Sequence, residues 1–172
     1  MCMILKSWFG KDLGDGVMLG STLGILITTV KMILFFLFYW ITNDKNTFWN
    51  TGYPIQSIFT YFVYDFVILL AFIIIFVGGK KCSSALLVTG LICLLVGTVA
   101  QFLYLCLHVT WWISRGQQLQ VEKREGIEGP SIFVTMVITI LFILNSMYMV
   151  YLLYFILTVS SYIAQIGEVR VR

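Results

Sequence analysis

Charge is scarce in this chain. Of its 172 residues 11% are charged, against 60% hydrophobic and 16% aromatic, and the mean hydropathy is +0.96. A soluble domain carries about a quarter charged residues, so the composition excludes a soluble enzyme and a disordered tail protein, and it reads as an integral membrane protein. Proline is almost missing, with two residues, and no low-complexity tract divides the chain; a single domain over residues 1–172 is expected. Cysteine is limited to Cys2, Cys82, Cys93 and Cys106, which form no pairing framework, and this excludes a disulfide-stapled secreted scaffold. The single histidine, His108, stands without carboxylate or cysteine neighbours at ligand spacing, so no metal site is expected. Basic residues outnumber acidic ones by 11 to 8 with no basic stripe, which removes nucleic acid from the expected partners.

What the chain does have is four long apolar runs, at residues 17–41, 58–77, 85–113 and 132–159. A bilayer core about 30 Å thick needs roughly 20 helical residues, and each run meets that length. Stretches such as Ile33-Leu34-Phe35-Phe36-Leu37-Phe38 lack the period of two that a barrel strand would show. The expected fold is therefore all-α, a four-helix transmembrane bundle. The connections run from Thr42 to Ser57, Gly78 to Ser84 and Ser114 to Ser131; the second forces a tight antiparallel hairpin, and the third carries the strongly polar segment Gln117 to Glu125.

Orientation follows from the basic residues. With both termini cytoplasmic, Lys6, Lys11, Lys80, Lys81, Arg170 and Arg172 lie inside, and Lys45, Arg115, Lys123 and Arg124 lie outside. Trp40, Trp49, Tyr53, Trp111 and Trp112 then gather at the outer interface as an aromatic belt, with His108 beside them. The first run has 25 residues with a Lys in its middle, so it reads as a retained span and not as a cleavable signal.

Two features carry candidate chemistry. Gly16, Gly20 and Gly24 recur at spacing four on the first span, and Gly90, Cys93, Gly97 and Ala100 form a second small-residue stripe on the third. In lipid, small residues let helix backbones approach closely enough to gain dispersion contacts. The economical expectation is that these two stripes face one another, with packing inside the chain favoured over packing with a second copy. The other feature is one strongly polar residue per span: Lys31, Asp65, Gln101 and Asn145. Lys31 and Asp65 differ in depth by only ~4.5 Å at about 1.5 Å rise per residue. An unpaired charge at that depth costs several kcal/mol, so the two are expected to pair, with Gln101 and Asn145 satisfying remaining donors and acceptors. The cluster reads as a staple that sets helix register or, alternatively, as a buried site for a proton, an ion or a lipid headgroup.

No nucleophile motif, glycine-rich phosphate loop or paired-carboxylate arrangement is present in the sequence, so no catalytic residue and no cofactor are expected. Cys2 and Cys82 sit beside basic residues at membrane edges, where palmitoylation and an unmodified thiol are both consistent with the pattern.

Cys2 in a short leading tail, the Gly16/Gly20/Gly24 series on the first span and the Gly78-Gly79-Lys80-Lys81 turn between spans two and three follow one another in an order that covers the whole chain. In that order the chain resembles the lysosomal-associated four-span transmembrane proteins and the insect septate-junction proteins of the pasiflora type. Departures are the missing cysteine cluster and the absence of a Pro-Tyr motif in the 13 residues from Ser160. Claudins, with a Trp and a Cys pair in a long first loop, and tetraspanins, with a much longer Cys-Cys-Gly loop, are excluded because both features are absent here. The expected function is non-enzymatic: an accessory, junctional or trafficking protein whose partners are the bilayer, other membrane proteins and, as a candidate, a second copy of itself. The alternative is a small transporter or channel subunit using Lys31, Asp65, Gln101 and Asn145. Plasma membrane and endosomal or lysosomal membrane are not distinguished by the residues.

Overall fold

The computed structural model describes residues 12–43, 55–124 and 132–171, and all of them apart from the ends and one turn are helical. The helices are α1, Leu13–Asn43; α2, Ile55–Lys80; α3, Ser84–Arg124; and α4, Ile132–Val171. Each is long and apolar enough to cross a membrane. Among the described residues there is no strand, as a continuous apolar pattern without alternation requires.

α1 starts at Asp12, whose carbonyl accepts the Gly16 N–H at 2.9 Å, with Asp15 in the first turn where the helix dipole favours a negative charge. α2 ends in a Schellman arrangement. The Ser83 N–H bonds the Gly78 carbonyl at 3.0 Å and the Cys82 N–H bonds the Gly79 carbonyl at 3.2 Å, with Cys82 in the left-handed conformation at φ 48°. The left-handed position thus falls on a cysteine, whereas Gly78, four residues before it, serves close packing. A Cβ on Gly78 would stand 3.1 Å from Leu86 Cβ and from the Leu87 backbone nitrogen. This turn makes the hairpin between α2 and α3 shorter than the sequence suggests, with only Lys81–Ser83 outside the helices.

The helices also overrun the expected spans. α3 was expected to stop near Ile113 and give way to a loop, but it continues to Arg124. Gln, Glu, Lys and Arg are strong helix formers, and no proline interrupts Gln117 to Arg124, so an established helix propagates through them. In the same way the residues from Ser160 are not a separate tail, because α4 runs on to Val171. At about 1.5 Å per residue α3 and α4 are each about 60 Å long, roughly twice the hydrocarbon thickness.

Sequential antiparallel connections set the arrangement. α1 packs on α2 and α4, and α3 packs on α2 and α4, so α1 and α3 stand at opposite corners. The core is built from Val17, Ile68, Phe72, Ile75, Leu94 and Leu152 with neighbours from all four helices. At its centre the Phe72 ring lies 5.2 Å from the Phe155 ring, which stacks in turn on Tyr151 at 6.1 Å. Buried hydroxyls return to their own helices: Ser21, Thr98 and Thr158 donate to the carbonyls four residues back at 2.7 to 3.0 Å. The opposite faces carry exposed Leu, Ile, Val and Phe along every helix, up to 68% exposure at Leu107 and Val150.

This arrangement corrects one expectation. The two small-residue stripes do not face each other; both meet α2 or α4. Gly24 is covered by the Phe72 ring, a Cβ on Gly90 would reach Ile75 Cγ1 at 2.5 Å, and one on Gly97 would reach Ile68 Cγ1 at 2.7 Å. The Gly20 carbonyl accepts the Tyr151 hydroxyl at 2.5 Å, and Gly16 is buried as well. In an up-and-down bundle the helix between α1 and α3 in sequence also lies between them in space, and its side chains fill both grooves. Packing within the chain is what these glycines serve.

A buried polar layer as the candidate functional site

α2 and α3 share a regular antiparallel register. Gly90 lies against Ile75, and seven residues further along α3 Gly97 lies against Ile68, seven residues back along α2. Carried on by one turn, this register brings Gln101 level with Tyr64 and Asp65. α1 brings Lys31 to the same level, because Gly24 lies under Phe72 and Lys31 follows by seven residues as Asp65 precedes by seven. The four polar residues therefore form one layer across the bundle. Asp65 lies 15 residues from Lys80, about 22 Å at helical rise, and Gln101 lies 17 residues from Ser84, about 25 Å.

Within the layer Lys31 Nζ donates to Asp65 Oδ1 at 2.8 Å, with the Asp65 side chain only 2% exposed and that of Lys31 17% exposed. The same ammonium stands 4.6 Å from the centre of the Tyr148 ring, in cation–π range. Across the layer Gln101 Nε2 donates to Asn145 Oδ1 at 3.0 Å, and both residues are buried. The expected Lys31–Asp65 contact is present, and Gln101 and Asn145 pair with each other. Breaking a buried ion pair by removing one partner costs about 3–5 kcal/mol, because the remaining charge is uncompensated.

Two participants were not anticipated, Thr28 and Tyr148, and beyond the layer Tyr151 continues the same face of α4. Thr28 Oγ1 donates to the Gly24 carbonyl at 2.7 Å and lies 2.5 Å from the Tyr148 hydroxyl. A threonine hydroxyl has one proton. Since that proton is used on Gly24, Tyr148 is the donor to Thr28, and the chain of bonds runs Tyr148 to Thr28 to the Gly24 carbonyl. The signal was available in the sequence: Thr28 precedes Lys31 by three residues and Tyr148 follows Asn145 by three, so each shares a helix face with an identified polar residue. Tyr151 follows Tyr148 by another three and reaches Gly20.

The layer offers donors, acceptors and one paired charge of each sign. Among the described residues no group of three His, Cys, Asp or Glu side chains could hold a metal ion. The remaining candidate sites are dispersed. Cys82 is exposed at the turn with its Sγ 3.9 Å from the Tyr162 hydroxyl, Cys93 is half-buried on α3, and Cys106 is exposed. Cys2, Lys6, Lys11, Lys45, Trp49 and Tyr53 lie outside the described residues. Trp40, His108, Trp111 and Trp112 are on helical backbone, in α1 and α3.

Comparison with protein-family models, with curated proteins and with solved structures gives no match to this chain.

Proposed function

We propose that the chain is a non-enzymatic, multi-pass membrane protein that acts by helix–helix or lipid interaction, in an accessory, junctional or trafficking role. The observation that carries this reading is the polar layer itself: its charges are paired with each other inside the bundle, while the outward faces of all four helices are apolar. A layer closed in this way stabilises one helix arrangement and leaves the outer surface free to meet lipid and other membrane helices. Both termini and the Lys80–Lys81 turn face the cytosol in this reading, in line with the bias in basic residues.

A second reading, a small transporter or channel subunit, draws on the partial exposure of the Lys31 side chain. Purified protein in sealed liposomes separates the two. The interaction reading expects proton and monovalent-ion flux equal to that of protein-free vesicles, together with a particle larger than one chain when native membranes are dissolved in mild detergent. Flux that disappears with Asp65→Asn overturns it in favour of transport.

A further inference from the structure

Gln101 is 1% exposed, and its Oε1 atom has no hydrogen-bond partner among the described residues. Its Nε2 is committed to Asn145. Leaving a buried carboxamide oxygen without a donor forfeits the hydrogen bonds it would make in water, and lipid supplies no substitute. Turning the Gln101 amide alone would set two acceptor oxygens, Gln101 Oε1 and Asn145 Oδ1, against each other, and turning both amides would keep the bond but put the Gln101 NH2 in the place without a protein partner among the described residues, where a water would accept instead of donate. The oxygen therefore calls for a donor from outside the side chains around it.

The surroundings restrict what that donor is. The Lys31–Asp65 pair is neutral as a unit wherever its proton resides, so the layer has no net negative charge to attract a cation. An anion is refused by an acceptor oxygen. What fits is a neutral O–H donor. The burial of Gln101 between α2 and α4 excludes a lipid chain bearing a hydroxyl, because such a chain would have to part the helices. A molecule the size of water fits the chemistry: it has two O–H donors, Gln101 Oε1 lacks a donor among the described residues, and the helix register puts Asp65, which carries a carboxylate, at the level of Gln101. Internal waters typically make about three hydrogen bonds to buried polar groups that are otherwise unsatisfied.

We propose that a single internal water is bound at Gln101, donating one O–H to Oε1 and the other to the Asp65 carboxylate, and so joins the Lys31–Asp65 pair to the Gln101–Asn145 pair. The two pairs become one hydrogen-bonded network spanning α1, α2, α3 and α4. This inference concerns the interior of the bundle and holds under either functional reading.

The test uses the full chain, ¹⁵N-labelled on glutamine and asparagine side chains, in liposomes of deuterated lipid. Magic-angle-spinning spectra assign the Gln101 side-chain amide by its through-space contact with the Asn145 amide. The expected result is a cross-peak between the Gln101 amide protons and water that persists at mixing times where exposed Gln side chains have already equilibrated with bulk water. A second measurement needs no mutation: the Gln101 side-chain carbonyl, labelled with ¹³C, should show the chemical shift of a hydrogen-bonded amide. No water cross-peak, or a carbonyl shift typical of an unbonded amide, overturns the proposal. So does a cross-peak to lipid protons that appears only with protonated lipid, since it would identify a lipid hydroxyl as the donor.

Discussion

The ring of Phe72 occupies the space that a side chain at position 24 would take, so that α1 and α2 meet backbone to ring at Gly24. Phe72 is itself held by Phe155 and Tyr151, with ring centroids 5.2 and 6.3 Å away. The ring has little room to move aside.

Gly24→Ala should therefore lower the melting temperature in detergent, with an overpacking cost of about 1–3 kcal/mol that exceeds the helix-propensity gain of about 1 kcal/mol. Gly24→Leu should prevent folding. Gly167 has nothing within 4 Å of an added Cβ, and Gly167→Ala should leave the protein as stable or slightly more so. Equal melting temperatures for the two alanine variants would show that Phe72 yields.

Lys31→Met and Asp65→Leu should each reduce stability or expression, and the double variant should recover much of the loss. Contacting residues couple by about 0.5–3 kcal/mol in such a cycle. Additive losses would mean that the 2.8 Å contact does not govern stability.

The direction of the hydrogen-bond chain through Thr28 gives an asymmetric prediction. Tyr148→Phe leaves the Thr28 proton on the Gly24 carbonyl and removes only a donor to Thr28, which costs about 0.5–1.5 kcal/mol. Thr28→Val strands the Tyr148 hydroxyl as a buried donor, costing about 1–3 kcal/mol. Unfolding of both variants in the same detergent decides it, and a larger loss for Tyr148→Phe would reverse the assigned donor.

Cys82 takes a left-handed conformation that a side chain disfavours by about 1–2 kcal/mol. Cys82→Gly removes that strain and gives back about 0.5–1 kcal/mol through the freer unfolded chain, so a small net stabilisation is expected. Cys82→Val, branched at Cβ, should destabilise. If Cys82→Gly instead lowers the melting temperature, the thiol contributes more through Tyr162 and the Gly79 carbonyl than the backbone strain removes.

Orientation is open to a direct measurement. With Lys80 and Lys81 at the cytosolic surface, a cysteine introduced at Gln118 should react with an impermeant thiol reagent only from the opposite side of sealed vesicles. Labelling at position 118 from the cytosolic side would invert the proposed topology.

Four apolar helices, their antiparallel order and the pairing of Lys31 with Asp65 were legible in the residues, because each follows from a local or one-dimensional quantity. Run length decides whether a helix can span, loop length decides which helices are neighbours, and distance from the span end decides depth. Helix ends were less legible. Gln117 to Arg124 and the residues from Ser160 are polar enough to leave lipid yet remain good helix formers, so α3 and α4 continue past the apolar runs. Which groove meets which helix was decided only in three dimensions. A glycine stripe records that something comes close without recording what, and the corner positions of α1 and α3 gave Phe72 to Gly24 and Ile68 and Ile75 to the α3 glycines. The same holds for Gln101 and Asn145: their depth could be read from the sequence, but pairing with each other, which leaves Gln101 Oε1 without a donor among the described residues, depends on how α3 and α4 are rotated about their axes.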